Sequence, residues 1–230
     1  MAAKRSFVGT VAKTIAYALL IGLCIFAGLL ALYSVVPPVS TLMLGRTLTG
    51  KSYERTYVRL KDIAPVLSAS VIASEDGLFC RHGGVDWAAL RKVISEADED
   101  GPSRGASTIT MQTAKNLFLW PGRSSVRKGM EIGIALVLGQ VWSRAHTLEV
   151  YLNIAEWGDG VFGIEAAARH YFQKRASQLN AREAALLATS LPNPILRNAA
   201  KPRPFQNRLA ARIVARARAS ASAGYLDCLP

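Results

Sequence analysis

Two glutamates, Glu75 and Glu131, bracket a run of hydroxyls, amides and cations in this 230-residue chain. The first opens E-D-G-L-F-C-R-H-G-G (75–84), the second closes R-K-G-M-E (127–131), and G-A-S-T-I-T-M-Q-T-A-K-N (105–116) lies between them. Ser107, Thr108, Gln112 and Asn116 add neutral hydrogen-bonding groups, while Lys115, Arg123, Arg127 and Lys128 add positive charge. Together these residue types suit chemistry on a polar, anionic substrate. Each also has a plainer role. Arg127 and Lys128, four and three residues before Glu131, could form ion pairs on a solvated helix face, and Ser107 and Thr108 could be turn or cap residues. Glu75 and Asp76 could simply end a helix, although acids there oppose the macrodipole and call for a local reason.

Other reaction classes lack their signatures. No G-x-S-x-G, P-loop or G-x-G-x-x-G is present. The three histidines, His82, His146 and His170, show no metal-ligand spacing, so no dedicated metal site is expected.

The elements that must hold these residues read as mainly helical. Residues 51–60 are rich in aromatic and β-branched types and suit a short strand. Asp62 is a cap candidate for a helix with Ile63, Leu67 and Val71 at four-residue spacing and Pro65 in its first turn, which delivers Glu75 at its C-terminal end. Asp86 is an N-cap candidate for a helix burying Leu90, Val93, Ile94 and Ala97. The acidic, Gly-containing residues 96–105 suggest an exposed, mobile loop. Ser124 or Ser125 begins the helix carrying Arg127, Lys128 and Glu131. It continues through I-G-I-A-L-V-L-G-Q-V-W (132–142), which is too short to span a bilayer and is expected as a buried central helix. Asn180 and Glu183 match a capping box, with Pro192 and Pro194 ending that helix. Residues 197–218 carry seven Lys and Arg and no acid, as a basic terminal helix would.

The N-terminal part is different in kind. Lys4, Arg5 and Lys13 precede an uncharged apolar run over residues 14–36, whose 23 residues would extend about 35 Å as a helix, enough for a hydrocarbon core of about 30 Å. The basic residues before it predict a cytoplasmic N-terminus and translocation of the chain beyond residue 36. The run is longer than the apolar core of a cleaved signal peptide, although Ala31 and Ser34 leave that reading open, and Pro37 and Pro38 end it. All 16 acids and 25 of the 28 Lys and Arg come after it, which leaves that part at +9 and favours anionic partners. Cys80 and Cys228 can make at most one pair, which is no disulfide framework, so unpaired thiols are expected here as at Cys24.

In combination the motifs are more specific than singly. E-D-x-x-F-x-x-H-x-G, G-x-S-T-I-T-x-Q with K-N shortly after, R-K-x-x-E, and L-E-V-Y-L-N (148–153) resemble, in order and interval, the peptidoglycan glycosyltransferase family, the family of the transglycosylase module of class A penicillin-binding proteins. With no room for a transpeptidase domain, the chain looks like a monofunctional member. The resemblance implies a mainly α protein, an N-terminal transmembrane helix followed by a two-lobed lysozyme-like glycosyltransferase domain. The organisation would be a cytoplasmic N-terminus (1–13), a membrane helix (14–36), a linker (37–50), the glycosyltransferase domain (51–222) and a C-terminal tail (223–230), with the domain in the periplasm and the anchor in the inner membrane.

By the same resemblance the substrates are lipid II and the growing glycan strand. Glu75 would be the general base and Glu131 would support the leaving-group side. Arg123, Arg127, Lys128 and Lys115 fall where family members bind phosphates. Ser107, Thr108, Gln112 and Asn116 would hold sugar or phosphate oxygens. Asp76, Phe79 and His82 would shape the first motif, and Glu149 with Asn153 would give structural support. No cofactor is required, although a divalent cation such as Mg or Mn assists pyrophosphate binding in some members. Other proteins of cell-wall synthesis are candidate partners. Two positions depart from the pattern: Met111 stands where glutamine is usual, and Met130 where some members carry a base. A lytic muramidase and a non-enzymatic scaffold are the alternatives. The basic tail alone would allow nucleic acid, but the anchor and its orientation argue against it.

Overall fold

The computed structural model describes residues 2–96, 107–122 and 124–229. Arg123, and all of the expected mobile loop except Glu96, lie outside the described residues. The chain divides into two units, Met1–Pro37 and Pro38–Pro230.

The first unit is one long helix, α1 (Ala2–Leu32), of which Thr10–Leu32 is long and apolar enough to cross a membrane. The helix stops four residues short of the expected end at Val36, and turns lie between it and the prolines.

The second unit is mainly helical, as expected, and begins earlier than the sequence suggests. Within the expected linker, Ser40 caps helix α2 (Thr41–Leu48) by accepting from the Met43 amide, and Met43 is fully buried. The Thr41 hydroxyl donates to the carbonyls of Asn116 and Leu119, so this helix is part of the domain. The strand expected near residue 55 is real but only two residues long. This β1 (Glu54–Arg55) pairs in parallel with β3 (Val161–Phe162), which pairs antiparallel with β2 (Glu156–Gly158), in the order β1-β3-β2.

The next helix, α3 (Pro65–Glu75), is not capped by Asp62. Asp62 closes a 3₁₀ turn, Leu60–Asp62, and α3 starts at the proline, whose missing N–H costs nothing in a first turn. Asp86 does cap α4 (Trp87–Ser95), accepting from the Ala89 amide, but the expected buried face is not buried. Leu90 and Val93 are half-buried and Ile94 is exposed. Beyond it come α5 (Ile109–Phe118), α6 (Ser125–Val141), α7 (Arg144–Ile154), α8 (Ile164–Phe172), α9 (Ala181–Ser190) and α10 (Pro204–Ser222). The Asn180–Glu183 capping box is present at the start of α9.

Packing falls into two groups. Helices α3, α9 and α10 pack on one another, whereas α5 packs on α6 and α7. A shared core joins them through Leu67, Val71 and Ile72 of α3, Leu148, Tyr151 and Leu152 of α7, and Trp157 of β2. Each large apolar side chain fully buried there contributes about 1.5 to 3 kcal/mol. The expectation that α6 is buried all round fails. Ala135 and Leu138 are buried against its neighbours, while Val137 and Val141 stay exposed, because among the described helices and strands it is α5 on which α6 packs extensively.

The expectation of unpaired thiols also fails, since Cys80 and Cys228 form a disulfide. The C-terminal residues fold back on the turn after α3, where Arg81 donates to the Gly224 carbonyl and stacks over the Tyr225 ring. Nothing local in sequence announces a bond spanning 148 residues.

Candidate active site

Glu75 is the last residue of α3, and its two oxygens are separately engaged. Ser74 Oγ donates to Oε1 at 3.1 Å, and Gln112 Nε2, from α5, donates to Oε2 at 3.0 Å. The side chain keeps partial solvent access, yet protein surrounds it closely enough that burial raises its pKa above the usual glutamate range. The Gln112 and Ser74 hydrogen bonds and the charges of Lys115 and Arg197 pull in the opposite direction. A carboxylate whose pKa is raised by burial, and which keeps partial solvent access, is suited to take a proton.

Asp76 has a different task. Its Oδ2 accepts from the Ile109 amide, the first N–H of α5, and its Oδ1 lies 2.8 Å from His82 Nε2. An acid that opposes the dipole at the end of α3 therefore complements the dipole at the start of α5, which is the local reason it is tolerated. The Gly84 amide donates to His82 Nδ1, so Nδ1 is an acceptor and the ring proton sits on Nε2, facing Asp76. Arg144 of α7 donates to the His82 carbonyl and stacks over Phe79, which is fully buried. Asp76, Phe79 and His82 thus shape the loop, and their polar atoms are turned to protein partners.

That loop is pinned to α6 by two glycines. Gly84 has φ +105°, and a Cβ there would meet the Ala135 carbonyl oxygen at 2.4 Å. A Cβ on Gly139 of α6 would meet the Gly83 carbonyl oxygen at 2.2 Å. Only glycine at both places allows the loop carrying the first motif to touch the helix carrying the third.

Ser124 caps α6 by accepting from the Arg127 amide, and the next turns present the cations and Glu131 on the face toward α5. Glu131 is buried and accepts from Lys128 Nζ at 2.7 Å and Arg127 Nη1 at 3.3 Å, with Ser107 Oγ at 3.4 Å. Lys128 Nζ also donates to Ser107 Oγ at 2.6 Å. Arg127 is buried too, so this triplet is no solvated surface pair. Lys115 lies within reach of the same charges; burial lowers its pKa, with Glu131 the main influence opposing that shift. Three cations against one carboxylate leave a surplus of two positive charges. Beside them is a pocket of about 250 Å³ lined by Lys115, Asn116, Arg127, Thr41, Trp120 and Gly122.

The remaining expected site residues divide. Asn116 lines that pocket. Thr108 is buried, caps α5 by accepting from the Met111 amide, and donates to the Gly84 carbonyl, which leaves its hydroxyl turned inward. Gln112 is committed at both ends, to Glu75 and to the Tyr151 hydroxyl, which donates to Gln112 Oε1 at 3.0 Å. Glu149 accepts from Tyr57 Oη and the Leu60 amide, and Asn153 exchanges two hydrogen bonds with the Val58 backbone. They fasten residues 57–60 to α7, a supporting role at a distance from the polar cluster. Met111 is fully buried, so its side chain packs in the core where a glutamine is usual, and Met130 is exposed.

Ser74, Tyr151, Arg144 and Arg197 were not singled out by sequence reasoning. Tyr151 had a signal: it lies two residues after Glu149 on the same helix, and so points to a different face from the one Glu149 and Asn153 share. Among the described residues, no group of three or more His, Cys, Asp or Glu could hold a metal ion. The polar cluster does not fit a resident divalent cation either, because Glu131 is already engaged by Arg127 and Lys128 and its neighbours are cationic.

Comparison with known proteins places these residues in context. Residues 42–218 match the family model described as Transglycosylase. The chain is 52% identical over 222 residues to a biosynthetic peptidoglycan transglycosylase of Agrobacterium fabrum, covering 96% of this chain and 97% of that protein. It is 56% identical over 203 residues to the protein of that name from Brucella melitensis, covering 87% and 90%. A third, from Rhizobium leguminosarum bv. trifolii, is 50% identical over 234 residues, covering 100% and 99%.

Proposed function

We propose a reaction from one premise: this chain belongs to the transglycosylase family. It is a glycosyltransferase of peptidoglycan synthesis that uses lipid II and the glycan strand. In the proposed reaction the reducing-end MurNAc of the growing strand carries undecaprenyl pyrophosphate. The 4-hydroxyl oxygen of the GlcNAc of lipid II attacks the MurNAc anomeric carbon, the bond from that carbon to the phosphate oxygen breaks with inversion, and undecaprenyl pyrophosphate leaves. Glu75 accepts the hydroxyl proton, a contribution of about 10² to 10⁴ in rate. Arg127, Lys128 and Lys115 receive the charge that develops on the pyrophosphate, which is a fair leaving group and needs stabilisation more than protonation. Glu131 holds Arg127 and Lys128 in place and offsets the cost of burying them. No step uses a metal or other cofactor.

The observation that carries this proposal is the division of labour between the carboxylates. Glu75 is hydrogen-bonded by the neutral Ser74 and Gln112 and has its pKa raised by burial, whereas Glu131 is locked into a cationic cluster. A bond-cleaving muramidase would have little use for that surplus of positive charge. For localisation, we infer a cytoplasmic N-terminus, α1 as a single-pass anchor in the inner membrane, and the domain on the periplasmic side. Lys4, Arg5 and Lys13 ahead of the apolar run support this orientation. So does the Cys80–Cys228 disulfide, of a kind that persists in oxidising compartments and is rare in the cytosol.

The test is to incubate the detergent-solubilised protein with labelled lipid II and, separately, with purified sacculi. Polymer from the first and no soluble muropeptides from the second is the expected outcome. Muropeptide release without polymer would contradict the proposal.

A further inference from the structure

We infer that Tyr151 is a positioning residue for the general base, acting through the Gln112 amide to favour the ionised form of Glu75. The inference rests on the assignment of Glu75 as the base. Tyr151 is fully buried on α7, with its hydroxyl 3.0 Å from Gln112 Oε1, and Gln112 Nε2 is 3.0 Å from Glu75 Oε2. An amide has one accepting and one donating end, so its orientation carries information. With the Tyr151 hydroxyl donating to Oε1, Nε2–H must face Glu75, where it meets a carboxylate as donor to acceptor. The flipped amide would set Oε1 against Glu75, an arrangement that suits only the protonated acid, and would turn Nε2 toward Tyr151. Facing Nε2, the hydroxyl could accept but would give up its own donation. Inside a protein an unmade donor is costly, which biases the amide toward the first orientation.

The other groups facing this relay are accounted for. Lys115 from α5 and Arg197 from beyond α9 act on Glu75, and Ser74 donates to its other oxygen. Glu75 and Asp76 face Tyr151, and burial with those two negative charges raises its pKa well above the usual tyrosine value, so the phenol stays protonated and able to donate. Asp76 is engaged by His82 and the Ile109 amide and does not compete for Gln112.

Tyr151→Phe keeps the ring in the core and removes only the donor. In that variant Gln112 is free to flip and to accept from a protonated Glu75, so the pKa of the base rises. The experiment is kcat/KM for lipid II polymerisation as a function of pH in the full-length protein, for wild type, Tyr151→Phe, Gln112→Leu and the double variant, with thermal melts confirming that each is folded. The acid limb of Tyr151→Phe should move to higher pH by about one unit, the scale of one hydrogen bond to a charged group, and activity should return toward the wild-type plateau above it. Gln112→Leu should move the limb likewise, and the double variant should move it no further. Site-specific fluorotyrosine at position 151, a stronger donor, should move the limb the other way. A uniform loss at every pH, an unmoved limb, or additive shifts in the double variant would overturn the role of Tyr151 while leaving the polymerisation reaction standing. A wild type without an acid limb that depends on Glu75 would overturn the base assignment itself.

Discussion

Glu75 and Glu131 are the same residue type, and their surroundings make them chemically different. Burial raises the pKa of Glu75, and a base must be ionised to act, so kcat/KM should fall as pH drops through a value above the usual carboxylate range; a pH–rate profile measures this. The same shift bears on stability. A carboxyl whose folded pKa is raised destabilises the fold above that pKa, and the loss is recovered as pH falls. Glu75→Gln should therefore abolish polymerisation while raising the thermal midpoint at neutral pH. Glu131→Gln should do the opposite for stability, because it strands buried Arg127 without its counter-charge, at a cost of about 3 to 5 kcal/mol by denaturant unfolding. At this scale the residue types were legible in sequence, since chemistry at the site is done by side chains whose spacing is local. Thr108 takes the cap role its position allowed, but the commitment of Gln112 was not legible, because it depends on Tyr151, a group brought in from elsewhere in the chain.

Elements were mostly read correctly where the signal is local, the cap expected at Asp62 excepted, and misread where burial decides. The caps at Asp86, Ser124 and Asn180 arise from short-range hydrogen bonding and are present. The burial of α6 and α4 and the membership of α2 in the domain depend on which neighbours pack on them, which the local sequence does not state. The boundary can be tested by truncation. A chain starting at Pro38 should melt cooperatively, whereas one starting at Lys51 loses Met43 from the core and should be less stable by about 2 to 5 kcal/mol. The contact between the Gly84 loop and α6 makes its own prediction. Gly84→Ala combines a positive φ with a backbone clash and should lower the thermal midpoint and the activity together. Replacing Cys228 by serine frees the C-terminal residues from the turn just after Glu75. That should cost about 2 to 5 kcal/mol, measured by denaturant unfolding with and without reductant, to which the variant should be indifferent.

At the scale of the whole molecule, an apolar helix precedes a basic domain, and the substrate proposed for that domain is an anionic lipid. The apolar helix and the charge were plain in the sequence because both are properties of composition. The two helix groups were expected only as the two lobes that the resemblance implies, and composition could not give them, since their separation arises from packing; one contributes Glu75 through α3 and the other Glu131 through α6. The central claim is that glycan polymerisation proceeds by proton transfer to Glu75. Its most direct test is polymerisation of labelled lipid II by the full-length protein beside Glu75→Gln, with lipid II binding measured in both. Polymer from the wild type, and none from a folded Glu75→Gln variant that still binds lipid II, is the predicted result. Polymer formed at an undiminished rate by Glu75→Gln would contradict it.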